Sequence, residues 1–229
     1  MIPGADFKDL PQAIKLSEKY DEVFFAVGIH PYDVSSYDEE IMEKYISHPK
    51  CIAVGECGLD YYRLPEDAAL KEAEIKLQKE VFIAQINFAK KVKKPLIVHI
   101  RDASDDSRNI LVNYGANEVG GVLHCFNASE HLLCLAEHNF YFGIGGVVTF
   151  KNAKKLVEIL PKIPKEKLLI ETDGPYLTPM PHRGKRNEPS YTVFIAQKIA
   201  QVLNIDENEV ENLTTNNAKS LFKEFSRII

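Results

Sequence analysis

Short apolar runs recur along the chain at residues 23–29, 51–56, 96–100, 122–125, 141–144 and 168–171, each bounded by Gly, Pro or a polar turn. They lack the alternation of a strand that is wet on one side. Apolar residues on both faces mark a parallel strand covered from both directions. Between these runs the apolar spacing lengthens to three and four residues. The longest such segment spans 67–91, with Ala69, Ala73, Leu77, Val81, Ala84, Phe88 and Val92 on one stripe, and predicts an amphipathic helix. Pro95 stops it and opens the next strand, because a residue before proline is pushed out of the α region. Shorter helices are expected at 9–19, 38–46, 104–113, 130–138, 154–160 and 190–203. The stretch 207–225 reads as one or two more, with Thr214, Thr215 and Asn216 at the break.

This alternation argues for a parallel α/β sheet. No G-x-G-x-x-G or Walker sequence follows any strand, which removes the main signature of an open nucleotide-binding sheet. Polar residues stand instead at the C-terminal ends of several strands, the pattern of a TIM-type (β/α)8 barrel. Six strands are clear, and residues 1–3, before Gly4-Ala5-Asp6, read as the end of a seventh. The eighth has no candidate. The expected fold is therefore a (β/α)8 barrel lacking its first strand and helix, with residues 1–229 forming a single domain.

Composition narrows the class. With 229 residues, 45% of them hydrophobic, the chain can bury one sizeable core. No apolar run reaches the ~20 residues that span a bilayer, so no membrane partner is expected. The N-terminus, MIPGADFKD, has neither the basic start nor the apolar stretch of a signal peptide. A cytoplasmic protein is expected. Cys51, Cys57, Cys125 and Cys134 form no C-x-x-C pair and read as buried, reduced thiols. A formal net charge of -5 argues against adhesion to nucleic acid by bulk charge.

Four strand ends carry residues that bind metals: AVGECGLDYYR, PLIVHIRD, GVLHCFN and LLIETD. Glu56, His99, His124 and Asp173 lie where an apolar strand opens into a loop. Singly, a histidine there is more often a hydrogen-bonded interior residue, and a carboxylate a helix cap. Together, four ionisable groups at one barrel mouth need a compensating charge. Two imidazoles and two carboxylates form an N/O ligand set for Zn²⁺, Mn²⁺ or a similar dication. Glu171, two residues before Asp173, reads as a supporting hydrogen-bond partner.

The blocks GIHPYD, GECGLDYYR, VHIRDA, LHCF, ETDGPYLTP and RGKRNEP follow one another between residues 28 and 189. In that order they resemble the signature blocks of the TatD family of metal-dependent deoxyribonucleases, a branch of the amidohydrolase-like barrels. The resemblance implies hydrolysis of phosphodiester bonds in DNA, with single strands or strand ends as substrate. It implies two divalent metal ions (Mg, Mn or Zn), with Glu56 bridging them. His99 and His124 would hold one ion and Asp173 the other, and Asp173 would also act on the attacking water. The family begins with a strand ending in His-x-His, which this chain does not contain. The absent unit would measure on the order of 30 residues. One metal at best and weak or no activity are expected in consequence.

For substrate contact, the loop TPMPHRGKRNEP offers Arg183 and Arg186, each suited to a bidentate grip on phosphate oxygens. Arg63, Arg101 and His30, at other strand ends, are further candidates. Tyr61 and Tyr62 are residues of a kind that stacks on a base, though core packing accounts for one of them equally well. Two alternatives to the nuclease remain. One is an amidohydrolase-like enzyme acting on a small amide, lactone or phosphotriester; the basic loop, and Glu56 where such relatives carry a bridging lysine, count against it. The other is a degenerate barrel that serves as a binding module, self-associating through exposed strand edges.

Overall fold

The computed structural model describes residues 1–227. Its backbone groups into two compact units, residues 1–122 with residues 222–227, and residues 123–221. Strands alternate with helices throughout.

In the first unit the strands are β1 (Phe25–Val27), β2 (Cys51–Asp60) and β3 (Leu96–Arg101), and the helices α1 (Leu10–Lys19), α2 (Glu39–Ile46), α3 (Ala68–Val92) and α4 (Ser104–Asn113). β1 pairs with β2, and β2 with β3, all in parallel. Ile2 adds a parallel bridge to Phe25, the strand end expected at residues 1–3. The core here is close to dry: Phe25, Ile52, Leu59, Phe82, Ile86 and Leu96 are at 0% exposure. Each such side chain contributes about 1.5–3 kcal/mol relative to an exposed one.

In this unit sequence and structure differ instructively in two places. β2 runs on to Asp60, four residues beyond the expected end at Glu56, and all ten of its residues are buried. Gly58 makes this possible: a Cβ there would lie 2.0 Å from the His99 carbonyl oxygen, so only glycine lets β2 pass that close to β3. α3 starts where expected, with the Asp67 carboxylate capping it by accepting from the N–H groups of Ala69 and Leu70. Its buried face is not. Ala69 and Ala73 are exposed, while Gln78, Val81, Phe82, Gln85, Ile86 and Ala89 are buried. Two glutamines hold positions that an apolar stripe assigns to their neighbours Leu77 and Ala84.

The strand β4 (Gly121–Leu123) leads the chain into the second unit, which holds β5 (Phe140–Ile144), α5 (Lys154–Ile159), β6 (Leu168–Ile170), α6 (Thr192–Leu203) and α7 (Glu207–Leu221). β5 and β6 pair in parallel. The segment 130–138 is a 3-10 helix, not an α-helix. α7 runs unbroken through Thr214-Thr215-Asn216. The Thr214 hydroxyl donates to the Val210 carbonyl at 2.9 Å, which satisfies it inside the helix. Asn217 then docks α7 by donating to the carbonyls of Lys165 and Leu168, both at 2.8 Å. The cysteines are free thiols; Cys51 and Cys57 are buried, whereas Cys134, expected inside, is exposed. Among the described residues no helix is long and apolar enough to cross a membrane.

Candidate functional site

Each unit contains one histidine bracketed by two carboxylates. In the first, His99 on β3 places Nδ1 3.0 Å from Glu56 Oε1 and Nε2 2.9 Å from Asp60 Oδ2. His30, just after β1, brings Nε2 to 3.9 Å from the same Glu56 oxygen, and its ring centroid lies 4.4 Å from that of His99. Ligand atoms of His30, Glu56 and His99 all fall within 4.8 Å of one another. Glu56 is 7% exposed and Asp60 1%, a depth at which carboxylates need partners of opposite charge or hydrogen-bond donors.

The two buried glutamines of α3 explain how this cluster is held. Gln85 accepts from the Ile29 N–H at 2.8 Å and donates to the Ile29 carbonyl at 3.0 Å. Gln78 does the same for Asp60, at 3.0 and 3.1 Å. Two turns of helix separate them, so both project from one face. Each amide mimics a strand neighbour for the backbone beside or at a cluster residue. His30 and Asp60 are thus fixed by a helix behind them.

The electrostatics follow from these contacts. Burial works against the imidazolium of His99, yet the hydrogen bonds of Asp60 and Glu56 prevail and hold its pKa above the usual value. Burial and the neighbouring His99 lower the pKa of His30, despite the pull of Glu56, Asp60 and Asp33. Burial would raise that of Asp60, but hydrogen bonds from His99, the Tyr62 N–H and Tyr32 keep it below the ordinary carboxylate range. Asp60 was missed in the sequence. The signal available was a second acid, directly after apolar Leu59, in GECGLD.

In the second unit His124, just past β4, places Nδ1 3.0 Å from Glu171 Oε2 and Nε2 3.4 Å from Asp173 Oδ1. The Glu171 carboxylate also accepts from the Cys125 N–H at 2.7 Å. Gly143 on β5 makes room for it, since a Cβ there would stand 2.2 Å from Glu171 Oε2. Asp173 turns at φ 54°, a left-handed conformation that Asp tolerates better than most residues. Asn187, 2% exposed, pins the loop around it by donating to the carbonyls of Thr172 and Tyr176 at 2.7 and 2.6 Å. The pattern of apolar and charged positions does not mark it.

The expected ligands are therefore distributed as Glu56 and His99 in one unit and His124 and Asp173 in the other. His30, expected to touch substrate, stands among the ligand atoms of the first cluster. The four arginines expected to touch substrate, Arg63, Arg101, Arg183 and Arg186, are all exposed. Arg63 lies over the Tyr32 ring and Arg101 over that of Tyr62. In the second unit Arg183 covers Phe150 with Cζ 4.1 Å from the ring centroid, and Arg186 pairs with Glu188 at 3.2 Å.

Comparisons with known proteins agree with this chemistry. A sequence profile described as TatD related DNase matches residues 1–223. An uncharacterized metal-dependent hydrolase, YabD of Bacillus subtilis (strain 168), is 44% identical over 230 residues, covering 97% of this chain and 86% of that protein. A protein of Escherichia fergusonii named 3'-5' ssDNA/RNA exonuclease TatD is 36% identical over 235 residues, again covering 97% and 86%. Among solved structures, a TatD homolog from Escherichia coli K12, YJJV, matches with a TM-score of 0.85 at 24% identity, over 96% of this chain and 85% of that one. At that identity the likeness speaks for the fold.

Proposed function

The chain belongs to the TatD related DNase family and is a metal-dependent hydrolase of that kind, and from this premise we propose that it hydrolyses phosphodiester bonds in DNA. The observation that carries the reading is the first cluster, two imidazoles and a buried carboxylate with ligand atoms within 4.8 Å of one another. That donor set fits Zn²⁺ or Mn²⁺, and its carboxylate suits Mg²⁺ less well alone. The exonuclease named TatD, 36% identical, supports nucleic acid, single-stranded or at strand ends, as the substrate.

Glu56 and His99, with His30 beside them, would hold one dication in this reading; His124 and Asp173 would be the ligands within the second unit's own cluster. Bound there, a dication would supply charge neutralisation at a phosphoryl oxygen and a lowered pKa for an attacking water. The protein does the rest. Asp60, on His99 Nε2, fixes the ring so that Nδ1 faces Glu56, the outer partner that a metal-binding histidine ordinarily has. Glu171 plays that part for His124. Asp173, at 30% side-chain exposure the most open carboxylate of the two groups, receives the proton of the attacking water. Arg63, Arg101, Arg183 and Arg186 contact phosphate oxygens.

The test is cleavage of a fluorescent single-stranded oligonucleotide by purified protein with added Mn²⁺, Mg²⁺ or Zn²⁺, with and without EDTA. Metal-dependent cleavage that Glu56→Gln abolishes is the expected outcome. Turnover of a lactone, amide or phosphotriester, with the oligonucleotide left intact by a metal-loaded protein, would replace DNA with a small molecule.

A further inference from the structure

Two exposed aromatic rings stand beside the first cluster, and hydrolysis alone gives them no task. Tyr62 is 59% exposed, yet its backbone is held in place. Its N–H donates to Asp60 Oδ1 at 2.9 Å, and the other oxygen of that carboxylate holds His99. The backbone that carries the ring is thereby fixed one carboxylate away from the ligand cluster. Arg101, two residues after His99 on β3, lays its guanidinium on one face, with Cζ 3.5 Å from the centroid. With that face occupied, it is the opposite face that a ligand would meet.

Tyr32 repeats the arrangement. Its N–H donates to His30 Nδ1 at 3.1 Å, and Arg63 Cζ lies 5.3 Å from its centroid. Tyr61 shows what a structural tyrosine looks like here. It is half-buried, and its hydroxyl donates to Asp106 at 2.8 Å.

We propose that Tyr62, backed by Arg101, is a stacking platform for an unpaired nucleobase next to the bond that is cut, with Tyr32 and Arg63 as a second such pair. The assignment rests on the phosphodiesterase reading above and names the part of the substrate recognised. A ring already carrying a guanidinium on one face gains cation–π polarisation and offers a flat, rigid opposite face. Every base has a π-face, so the platform is tolerant of sequence. A base inside a duplex is stacked on both sides and reaches such a ring only after leaving the helix, which favours single strands. The guanidiniums also supply local positive charge in a protein of net charge -5, where the backbone phosphates require it.

The experiment compares wild type, Tyr62→Ala and Tyr62→Phe. The substrates are a single-stranded oligonucleotide and copies carrying one abasic residue at successive positions. KM and kcat are read with metal, and binding of a phosphorothioate version is read separately. Tyr62→Ala should raise KM and the binding constant on the order of 5- to 100-fold with little change in kcat. Tyr62→Phe should restore both, and an abasic residue at one position should reproduce the loss in wild type and add nothing in Tyr62→Ala. Cleavage indifferent to Tyr62, or equal losses on intact and abasic strands, overturns the platform and leaves the nuclease reading standing. Tyr62-dependent binding without cleavage upholds the platform and removes the nuclease. A wild type that neither binds nor cleaves the strand overturns both.

Discussion

The two histidine clusters use the same parts and differ in how tightly those parts are held. Each places one carboxylate at 3.0 Å from Nδ1 and another on Nε2, and each packs against a glycine, Gly58 or Gly143, where a methyl group would collide with the site. The Nε2 partner separates them. In the first unit it is Asp60, 1% exposed, on a strand and clamped by Gln78. In the second it is Asp173, 30% exposed, on a turn pinned by Asn187. A carboxylate that is buried and doubly hydrogen-bonded orients its histidine. One that is open and on a loop is free to exchange protons with a substrate water. The first cluster also has a second imidazole, His30, within ligand distance. Affinity for metal should therefore reside chiefly in the first unit, and proton transfer in the second.

The largest expected effect is that of Glu56→Gln. It removes the negative charge that lies against both imidazoles and should cost on the order of 100-fold or more in kcat/KM together with bound metal. Asp173→Asn should lose activity on a similar scale in kcat while metal in the first cluster is retained. Equal metal loss in both variants, read by elemental analysis, would erase the contrast. Next comes Asp60→Asn, which keeps the shape and removes the charge on His99 Nε2. About a 10- to 100-fold weaker metal affinity is expected, against a smaller change for Glu171→Gln. Titration calorimetry with Mn²⁺ distinguishes the two.

A milder test addresses the clamp. Gln85→Leu leaves the Ile29 N–H and carbonyl buried without their partners, a cost of about 1–3 kcal/mol. For a chain of this size that is a fall in Tm of about 2–4 °C per kcal/mol. Thermal denaturation should show it in metal-free protein. Metal should recover part of it, by binding only the folded form.

The smallest effect is a pH dependence. Burial would raise the pKa of Asp106, but hydrogen bonds from Lys79 and Tyr61 prevail and depress it, tying the residue after Asp60 to α4. A depressed pKa means stability that is present above the unfolded carboxylate value and lost as pH falls through the folded one. Wild type should exceed Asp106→Asn near neutrality, by a fraction of a kcal/mol because the side chain is 40% exposed and solvent screens it. The gap should close in acid. A gap that widens in acid would have the sign wrong.

Local rules made much of this fold legible. Asp67 and Asp38 cap α3 and α2, Pro95 follows the end of α3, and 104–113 is a helix as its spacing predicts. Strand-end acids and histidines pointed to Glu56, His99, His124 and Asp173 for the same reason: apolar runs rarely end in charge without purpose. What stayed hidden depends on pairings distant in sequence. Asp60 belongs to the site because Gly58 lets β2 continue past Glu56. Gln78 and Gln85 break the apolar stripe of α3 because their amides serve backbone groups 18 and 56 residues away. His30 reads as a rim residue until Gln85 fixes Ile29 beside it. Hydrophobic periodicity carries no trace of such partners.

The most direct measurement is Mn²⁺ titration of wild type and of the His30→Ala, Glu56→Gln double variant, each with folding checked by circular dichroism. Loss of the tightest binding event in the folded variant is the predicted result. An unchanged tightest site would contradict the assignment of the metal to the first cluster, and with it the division of labour between the two.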